Sequence, residues 1–467
     1  MGTAIDRIWH RGGALLSVAL LIPVLGFSQQ PASSVTQDPG AASTDEQNPA
    51  TANPFNQQQP NAAGTQGFLV QALDSASPLA GEDGPLHWGW VSIRSASFQE
   101  YFSHENFSNP GGPAQSEDIN ASILTTAIVV AHTFGSSTNF ALQYSPSLAI
   151  SAGSVYPNAL NQTMGMDTTF KLNARWSMQI TDRLSYYGSQ RTFTGLPFNT
   201  NFATGISVSQ NYLSGPGSVL YNSFGASFSY AWSQRTNVTF APFLGYSYAT
   251  GSLSSGATVS SLSGGGVATL SYLISPTQTI GINYSGQYAN YANTSQTAGP
   301  QSNAFLQDFL VTYSQQLKDS WSIRLGLGIT SNIGGNSGAG LGANVGISKS
   351  FNRSALAFIW TRGHQFNGFV TNSASDNVGL THSISWTPRF STATGGFYTK
   401  TPGAYPSQQS SWYVTEQLNY GLTRQLSLFG SIAYVSQVGD GVYVLSSNRR
   451  FASVGIMWSV PQSTRQP

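Results

Sequence analysis

The residues best suited to chemistry are four basic side chains, Lys171, Arg175, Arg191 and Arg324. Each stands at a polar position of a segment in which polar and apolar residues alternate, as in the stretch from Asp167 to Ser185. Ammonium and guanidinium groups attract anions, and arginine stays protonated at neutral pH, so these groups are suited to binding. On a single strand, Lys171 and Arg175 would lie about 13 Å apart on one face. They therefore predict a basic track.

Catalysis is not indicated by the motifs. The segment GHQFNG (Gly363–Gly368) is similar to the His-x-Ser-Asn-Gly site of outer-membrane phospholipases, but Phe366 stands at the serine position. The nucleophile that acyl transfer needs is therefore missing. The six His residues lack metal-ligand spacing, and the chain contains no Cys. We expect no enzyme activity, no cofactor and no metal site.

The elements that carry the basic residues follow a period of two. In the Asp167–Ser185 stretch, Phe170, Leu172 and Trp176 alternate with polar residues, and this pattern is typical of a strand with one apolar face and one polar face. In a soluble protein the apolar face would meet a core. In a membrane barrel it would meet lipid, and the polar face would line a water-filled lumen.

The composition favours the barrel. Charged residues make up only 8% of the chain, against roughly 25% in ordinary soluble domains. Aromatic residues reach 12%, yet the mean hydropathy is −0.13, because the polarity comes from Ser, Thr, Asn and Gln. Helical membrane proteins need apolar runs of about 20 residues, and the one long apolar run here lies at the N-terminus.

That N-terminus resembles a secretory signal peptide. Basic residues precede the apolar run Ala14–Gly26, and small residues at Gly26 and Ser28 fit cleavage near residue 28. Residues 29–84 are rich in Gln, Asn, Pro, Ala and Ser, with acidic but no basic residues. This composition predicts a disordered periplasmic leader, too short for the globular plug of a TonB-dependent transporter. Residues 461–467 form a short tail.

Between residues 85 and 460, short polar turns alternate with longer Gly/Ser/Asn-rich connections such as Ser103–Ser122. We predict eight turns, at Gly135–Asn139, Thr181–Arg183, Ser233–Asn237, Ser275–Thr279, Lys318–Ser320, Phe351–Ser354, Arg389–Thr392 and Thr423–Gln425. Eight turns join sixteen strands, and one strand at each end brings the number to about 18, within a range of 16–18. We expect an all-β fold: a single transmembrane antiparallel up-and-down β-barrel with both termini periplasmic.

Tryptophans cluster near one end of the predicted strands. Aromatic rings prefer the headgroup level of a membrane, so these residues predict an aromatic girdle. The girdle residues are Trp176, Trp232, Trp321, Trp386 and Trp458.

The last strand, RRFASVGIMWSV, makes the resemblance more specific. Ser453, Gly455, Trp458 and Val460 resemble the β-signal that the barrel-assembly machinery of bacterial outer membranes reads, although a tail follows Val460. The chain therefore resembles a bacterial outer-membrane β-barrel protein, porin-like in size. The resemblance implies contact with outer-membrane lipids and the assembly machinery, and no nucleic-acid partner.

Three functions fit such a barrel. A pore for passive or weakly selective diffusion of small polar solutes is favoured, with a slight anion preference, because residues 85–460 contain 16 Lys and Arg against 11 Asp and Glu. Export of an anionic polysaccharide is the alternative, because a barrel of this size with a basic lumen resembles alginate-type exporters. A structural or adhesive barrel is the third. Glu416 shares parity with apolar residues, and we expect a bulge there to turn it inward.

Overall fold

Every regular element among the described residues is a β-strand. The structure is a computed structural model, and it describes residues 87–88, 90–108, 114–135, 137–151, 158–188, 199–201, 206–208, 218–249, 259–293, 303–318, 320–333, 338–364, 374–401, 409–439 and 446–459. The predicted signal peptide, leader and tail lie outside these residues, as do Arg191, Phe366 and Val460. The described part of the chain contains no helix long and apolar enough to cross a membrane.

The strands are numbered in chain order. They are β1 His87–Trp88, β2 Val91–Ser108, β3 Ala114–Phe134, β4 Thr138–Ser151, β5 Ala159–Lys171, β6 Trp176–Tyr187, β7 Asn199–Asn201, β8 Ile206–Val208, β9 Val219–Ala231, β10 Thr236–Ala249, β11 Val259–Ser275, β12 Gln278–Asn293, β13 Ala304–Gln316, β14 Trp321–Ile333, β15 Gly338–Ser350, β16 Ser354–His364, β17 Ala374–Ser385, β18 Phe390–Thr401, β19 Gln409–Gly421, β20 Leu426–Gly439 and β21 Ser446–Ser459.

Eighteen of these strands form one closed antiparallel barrel. Strands β2–β6 and β9–β21 each pair with the next strand along the chain, and β21 returns to pair with β2. The short β1 adds to the start of β2, and β7 and β8 form a separate two-stranded sheet. The prediction of an up-and-down barrel of about 18 strands is confirmed. The start of β2 and the end of β21 lie at the same end of the barrel as the eight short turns.

The two faces of the sheet differ in polarity. Asp308 on β13 lies near the position that a Cβ atom would occupy on Gly363 of β16, three strands away, which requires that Asp308 point to the concave side. By the strand register, Leu327 and Ile329 on β14 then point outward, and they are 57% and 62% exposed. Thr330, the register partner of Asp308, is fully buried. The apolar face is therefore the outer one, as in a membrane barrel.

The turns show a shared chemical device. In four of them the second residue accepts hydrogen bonds from the backbone N–H groups two and three positions later, as an Asx- or ST-turn does. At Asn173 these distances are 2.8 and 2.9 Å, and at Thr423 they are 3.1 and 3.0 Å. Ser233 and Thr387 do the same.

This device corrects one predicted turn. Asn173 closes a turn over residues 172–175, so Asp167–Ser185 contains two strands rather than one. The predicted turn at Thr181–Arg183 is wrong, because these residues lie inside β6. Four turn residues are an even number, so the alternation continues across the turn with unchanged parity and hides it. The predicted turn at Arg389–Thr392 is also displaced, since the chain turns over residues 386–389.

The predicted connection Ser103–Ser122 is wrong at both ends. Strand β2 continues to Ser108, and strand β3 already begins at Ala114. The two strands stay paired up to these two residues, which are register partners. Alternation fades here because the outward residues His104 and Asp118 are polar too. Strands that extend beyond an apolar band lose the pattern by which they are recognised.

Three inward phenylalanines pack over glycines of the neighbouring strand. The pairs are Phe243 with Gly265, Phe397 with Gly379 and Phe429 with Gly455. A Cβ atom on Gly379 would lie 2.8 Å from the Phe397 ring, and one on Gly455 would lie 2.6 Å from the Phe429 ring. The rings therefore lie along the wall and do not project across the barrel, which only glycine allows.

Of these three glycine positions, Gly265 leaves the least space for a side chain. A Cβ atom there would lie 2.9 Å from both the Phe243 ring and the Gln287 backbone and would overlap the Gly286 carbonyl. We expect Gly265→Ala to lower the free energy of unfolding by about 1–3 kcal/mol, because the backbone must shift. Gly396→Ala is the control, since nothing lies within 4 Å of a Cβ there. Urea unfolding in detergent micelles, followed by tryptophan fluorescence, checks this; equal loss in both variants contradicts it.

The barrel closes through the pairing of β2 with β21, here called the seam. Arg449 on β21 is 3% exposed. Its Nε donates to the Ser103 hydroxyl at 2.9 Å, and its Nη2 donates to the Tyr101 hydroxyl at 2.7 Å, so one side chain ties both strands. Glu105, also buried, is its direct register partner. A buried guanidinium with such partners stabilises the seam, and its removal leaves them unsatisfied.

Replacement of Arg449 tests the seam. We expect Arg449→Met to destabilise the barrel by about 2–3 kcal/mol, because buried hydrogen bonds to a charged group are lost. Arg450→Met, at the adjacent exposed and outward position, serves as control and changes stability little. The measurement is the temperature at which the compact, heat-modifiable form disappears on SDS gels. Identical temperatures for the two variants contradict the role of Arg449.

Candidate pore lining

Small uncharged polar side chains dominate the inward positions. Many of them bond to each other across neighbouring strands. Hydroxyl pairs include Ser322–Ser348 at 2.6 Å and Ser431–Ser453 at 2.8 Å. Further bonds run from Thr125 to Ser147 at 2.9 Å, from Thr399 to the Asn377 amide oxygen at 2.9 Å and from the Asn283 amide to Thr269 at 3.0 Å. The inner wall is thus mostly neutral and hydrogen-bonded, with an apolar patch where Phe451 packs against the clusters that contain Tyr101 and Tyr413.

Of the described residues in the predicted basic set, Lys171 and Arg175 lie at one turn, and Arg324 lies on a distant strand. Arg324 lies on β14 with inward parity, half-buried, between Ser314 and Gly346 in the register. Lys171 is the last residue of β5, and Arg175 lies in the turn that follows; both are exposed. The prediction of a track on one strand is wrong, because the Asn173 turn separates the two residues. Arg191 lies outside the described residues.

An inward ion pair occupies the wall where the sequence predicted a turn. Arg183 on β6 and Asp167 on β5 approach to 2.6 Å between Nη2 and Oδ2, with both side chains partly exposed. Arg183 reaches Asp167 across Gly165, where a Cβ atom would lie 2.6 Å from its Nη1. Glycine at position 165 therefore lets the guanidinium lie along the wall. The acidic partner offsets the field of Arg183 inside the barrel.

Two inward arginines were missed by the sequence analysis, Arg183 and Arg449. Arg183 was assigned to a turn, and comparison of Leu172–Arg175 with the similar turns Trp232–Arg235 and Trp386–Arg389 would have corrected this. For Arg449, the signal was parity, since it is an odd number of residues from the outward Trp458. Their acidic neighbours lie on other strands and have no signal in the local sequence.

Asp308 is a further inward carboxylate. It accepts hydrogen bonds from the Thr330 hydroxyl and, at 3.3 Å, from the Ser285 hydroxyl. Within the described part of the chain, no three His, Asp or Glu side chains gather as metal ligands do. The inner wall therefore carries both signs of charge, in part as direct pairs such as Arg183–Asp167, set in a mostly neutral surface.

The five tryptophans of the predicted girdle lie at the turn end of the barrel. Trp176 and Trp321 begin β6 and β14, Trp232 and Trp386 lie in turns, and Trp458 is the second-last residue of β21. Trp232 is 68% exposed. Of the predicted β-signal, Ser453 and Gly455 face inward and Trp458 outward, by the register with β20.

A charged row marks the opposite end of the outer face. Arg362, Asp376 and Lys400 are register partners on β16, β17 and β18, and the Arg362–Asp376 ion pair measures 3.3 Å. Phe390 at the turn end and Lys400 are ten residues apart on β18. At about 3.3 Å per residue and a tilt near 40°, this spans about 25 Å. That is the height of the apolar band of outer-membrane barrels.

Glu416 does lie on this outer face. The register of β19 with β18 and β20 runs without a shift past Glu416, so the expected bulge is wrong. The Thr394 hydroxyl donates to Glu416 Oε2 at 2.6 Å. A carboxylate is thus kept outward with a hydrogen-bond donor on the neighbouring strand.

Among known proteins, only solved structures are similar to this chain. No family model and no curated protein matches the chain. Similar solved structures include the ferric citrate transporter FecA (12% identity, 74% of this chain, 60% of that one, TM-score 0.41) and the FrpB iron transporter of Neisseria meningitidis (5%, 75%, 62%, 0.45). OccAB4 of Acinetobacter baumannii is another (10%, 78%, 98%, 0.39). The chain spans about three fifths of the length of the two iron transporters.

Proposed function

We propose that this chain is an outer-membrane pore for passive, weakly selective diffusion of small polar solutes. One observation carries the proposal: the register of the closed 18-stranded sheet sends most large apolar side chains outward, whereas the inner wall consists mainly of small and neutral polar side chains beside one apolar patch. Barrels of 16–18 strands are wide enough for an aqueous channel. A closed sheet also leaves no unpaired edge, which lipid would not tolerate.

Membrane placement is part of the proposal. Turn-end tryptophans and the loop-end charged row bound an apolar band of about 25 Å, so the turns would face the periplasm together with the start of β2 and the end of β21. The predicted signal peptide and β-signal support delivery to the bacterial outer membrane. Lipids and the barrel-assembly machinery are then the partners.

The selectivity we propose is weaker than the sequence suggested. Arg183 has Asp167 beside it. Of the described members of the predicted basic set, Arg324 lies within the barrel wall, Lys171 has inward parity at the turn end, and Arg175 lies in the turn. Screening restricts such a field to about 8 Å at physiological ionic strength. Polysaccharide export loses its main support with the basic track, and no observation favours a barrel without transport.

Conductance in planar bilayers tests the pore. The purified, folded chain should produce steady, ohmic channels in KCl, because the wall presents neutral hydrogen-bonding groups to water. Heat-denatured protein at the same concentration is the control. Folded protein that inserts into vesicles but never conducts ions would contradict the proposal.

The Asp167–Arg183 pair predicts opposite shifts in selectivity. Asp167→Asn leaves the positive charge of Arg183 uncompensated, so the reversal potential under a KCl gradient should move towards anion preference. Arg183→Gln should move it towards cation preference. Arg362→Gln, whose side chain faces outward, should leave it unchanged. Shifts of the same sign in the first two variants, or none, contradict the assignment of this pair to the conducting path.

A further inference from the structure

The outer face differs in polarity around the barrel, and on β6 the outward Asp182 accepts a hydrogen bond from Asn222 at 2.8 Å. Between Lys349 at the turn end and Arg362 at the loop end, the described outward residues of β10–β16 carry no charge, and exposed Leu270, Ile282 and Leu327 are typical of them. The face from β17 through β21 to β3 differs. It contains two carboxylates, Glu416 and Glu100, within the same band.

Each of these carboxylates has a hydroxyl donor on the adjacent strand. Thr394 donates to Glu416 at 2.6 Å, and Ser122 donates to the two oxygens of Glu100 at 2.8 and 3.1 Å. His382 is the register partner of Thr394. The three residues His382, Thr394 and Glu416 therefore form one row across β17, β18 and β19, which we call the polar row.

The polar row is poorly suited to lipid. Ile432 beside Glu416 is 61% exposed, and Val414 and Leu418 above and below it on β19 are exposed too. A carboxylate amid exposed apolar side chains is unfavourable against hydrocarbon. A protein surface that supplies a hydrogen-bonding partner removes this penalty.

We propose that this face binds a second copy of the same chain, related by a two-fold axis near Thr394 and parallel to the barrel axis. The inference rests on the membrane placement in the proposed function. His382 and Glu416 flank Thr394 on opposite sides. Rotation by 180° about this axis brings His382 of one copy to the same side as Glu416 of the other, twice, with a displacement of about 6 Å along the axis at a strand tilt near 40°. An imidazole and a carboxylate are complementary, so the row is complementary to itself, as a two-fold interface requires.

The available area fits a dimer. A two-fold interface extends equally to both sides of its axis, so the face centred on β18 runs from β15 to β21 and comprises seven neighbouring strands. At about 4.8 Å per strand it is about 34 Å wide, and with a height of about 25 Å it offers up to about 850 Å² per copy. Stable interfaces bury about 800 Å² per partner. The uncharged outer face of β10–β14 then remains in contact with lipid.

Cysteine crosslinking in native membranes tests the proposal, since the chain has no cysteine of its own. Thr394→Cys should give a covalent dimer with a short thiol crosslinker, because the two copies of this residue meet at the axis. Ala268→Cys, an exposed outward residue on β11, is the matched control and should stay monomeric.

A charge exchange makes the test specific. In the Thr394→Cys background, His382→Glu places carboxylates opposite each other and should reduce the dimer at least fivefold. Adding Glu416→His restores complementarity and should recover it. Heat-modifiability and conductance are measured in parallel. A folded, conducting chain without the Thr394→Cys dimer, or with as much Ala268→Cys dimer, overturns the docking alone; absence from the membrane fraction overturns the proposed function.

Discussion

The closure of the sheet is the constraint on which the rest of the structure depends. Each barrel strand has hydrogen-bonding partners on both sides only because β21 returns to β2, from Ser95 opposite Ser459 to Ser108 opposite Ser446. An open sheet of this length would expose backbone N–H and C=O groups along two edges, which neither lipid nor a soluble monomer accommodates well. Arg449 adds side-chain hydrogen bonds to this last pairing, because it donates to the Tyr101 and Ser103 hydroxyls across the seam.

Closure also explains why the inner wall is built from small residues. Eighteen strands that curve inward crowd the concave side, so Ser, Thr, Asn and Gly suit it, and the larger Phe243, Phe397 and Phe429 fit where glycine stands opposite them. The polar groups bond sideways to the next strand and so need no buried core. The result is a wall with many internal hydrogen bonds that is neutral over most of its area, which suits weak selectivity.

The sequence predicts the architecture well because its signal is the period-two alternation, which depends only on which face each residue occupies. The number of strands and the position of the termini at the turn end follow from the turns that separate these alternating segments. Parity fails where an even turn preserves it, as at Asn173, and where both faces are polar, as from Ser103 to Ser108. Parity also led us to expect a bulge at Glu416. The hydrogen bond from Thr394 that keeps this carboxylate outward comes from the neighbouring strand, which a local pattern does not reveal. The partners of Arg183 and Arg449 were beyond prediction for the same reason: a local pattern gives the face of a residue, whereas the register gives its neighbours.

The central claim is that water meets the odd residues of β12 and lipid the even ones. The direct measurement is a single-cysteine scan from Ile280 to Tyr288 in folded protein in lipid vesicles, with a charged thiol reagent that cannot enter hydrocarbon. The barrel has no competing thiol, and β12 is paired without a break over this range. We predict labelling at 283, 285 and 287 and none at 280, 282 and 284. Labelling of the even positions, or the same rate at all positions, would contradict a water-filled barrel with an apolar outer face.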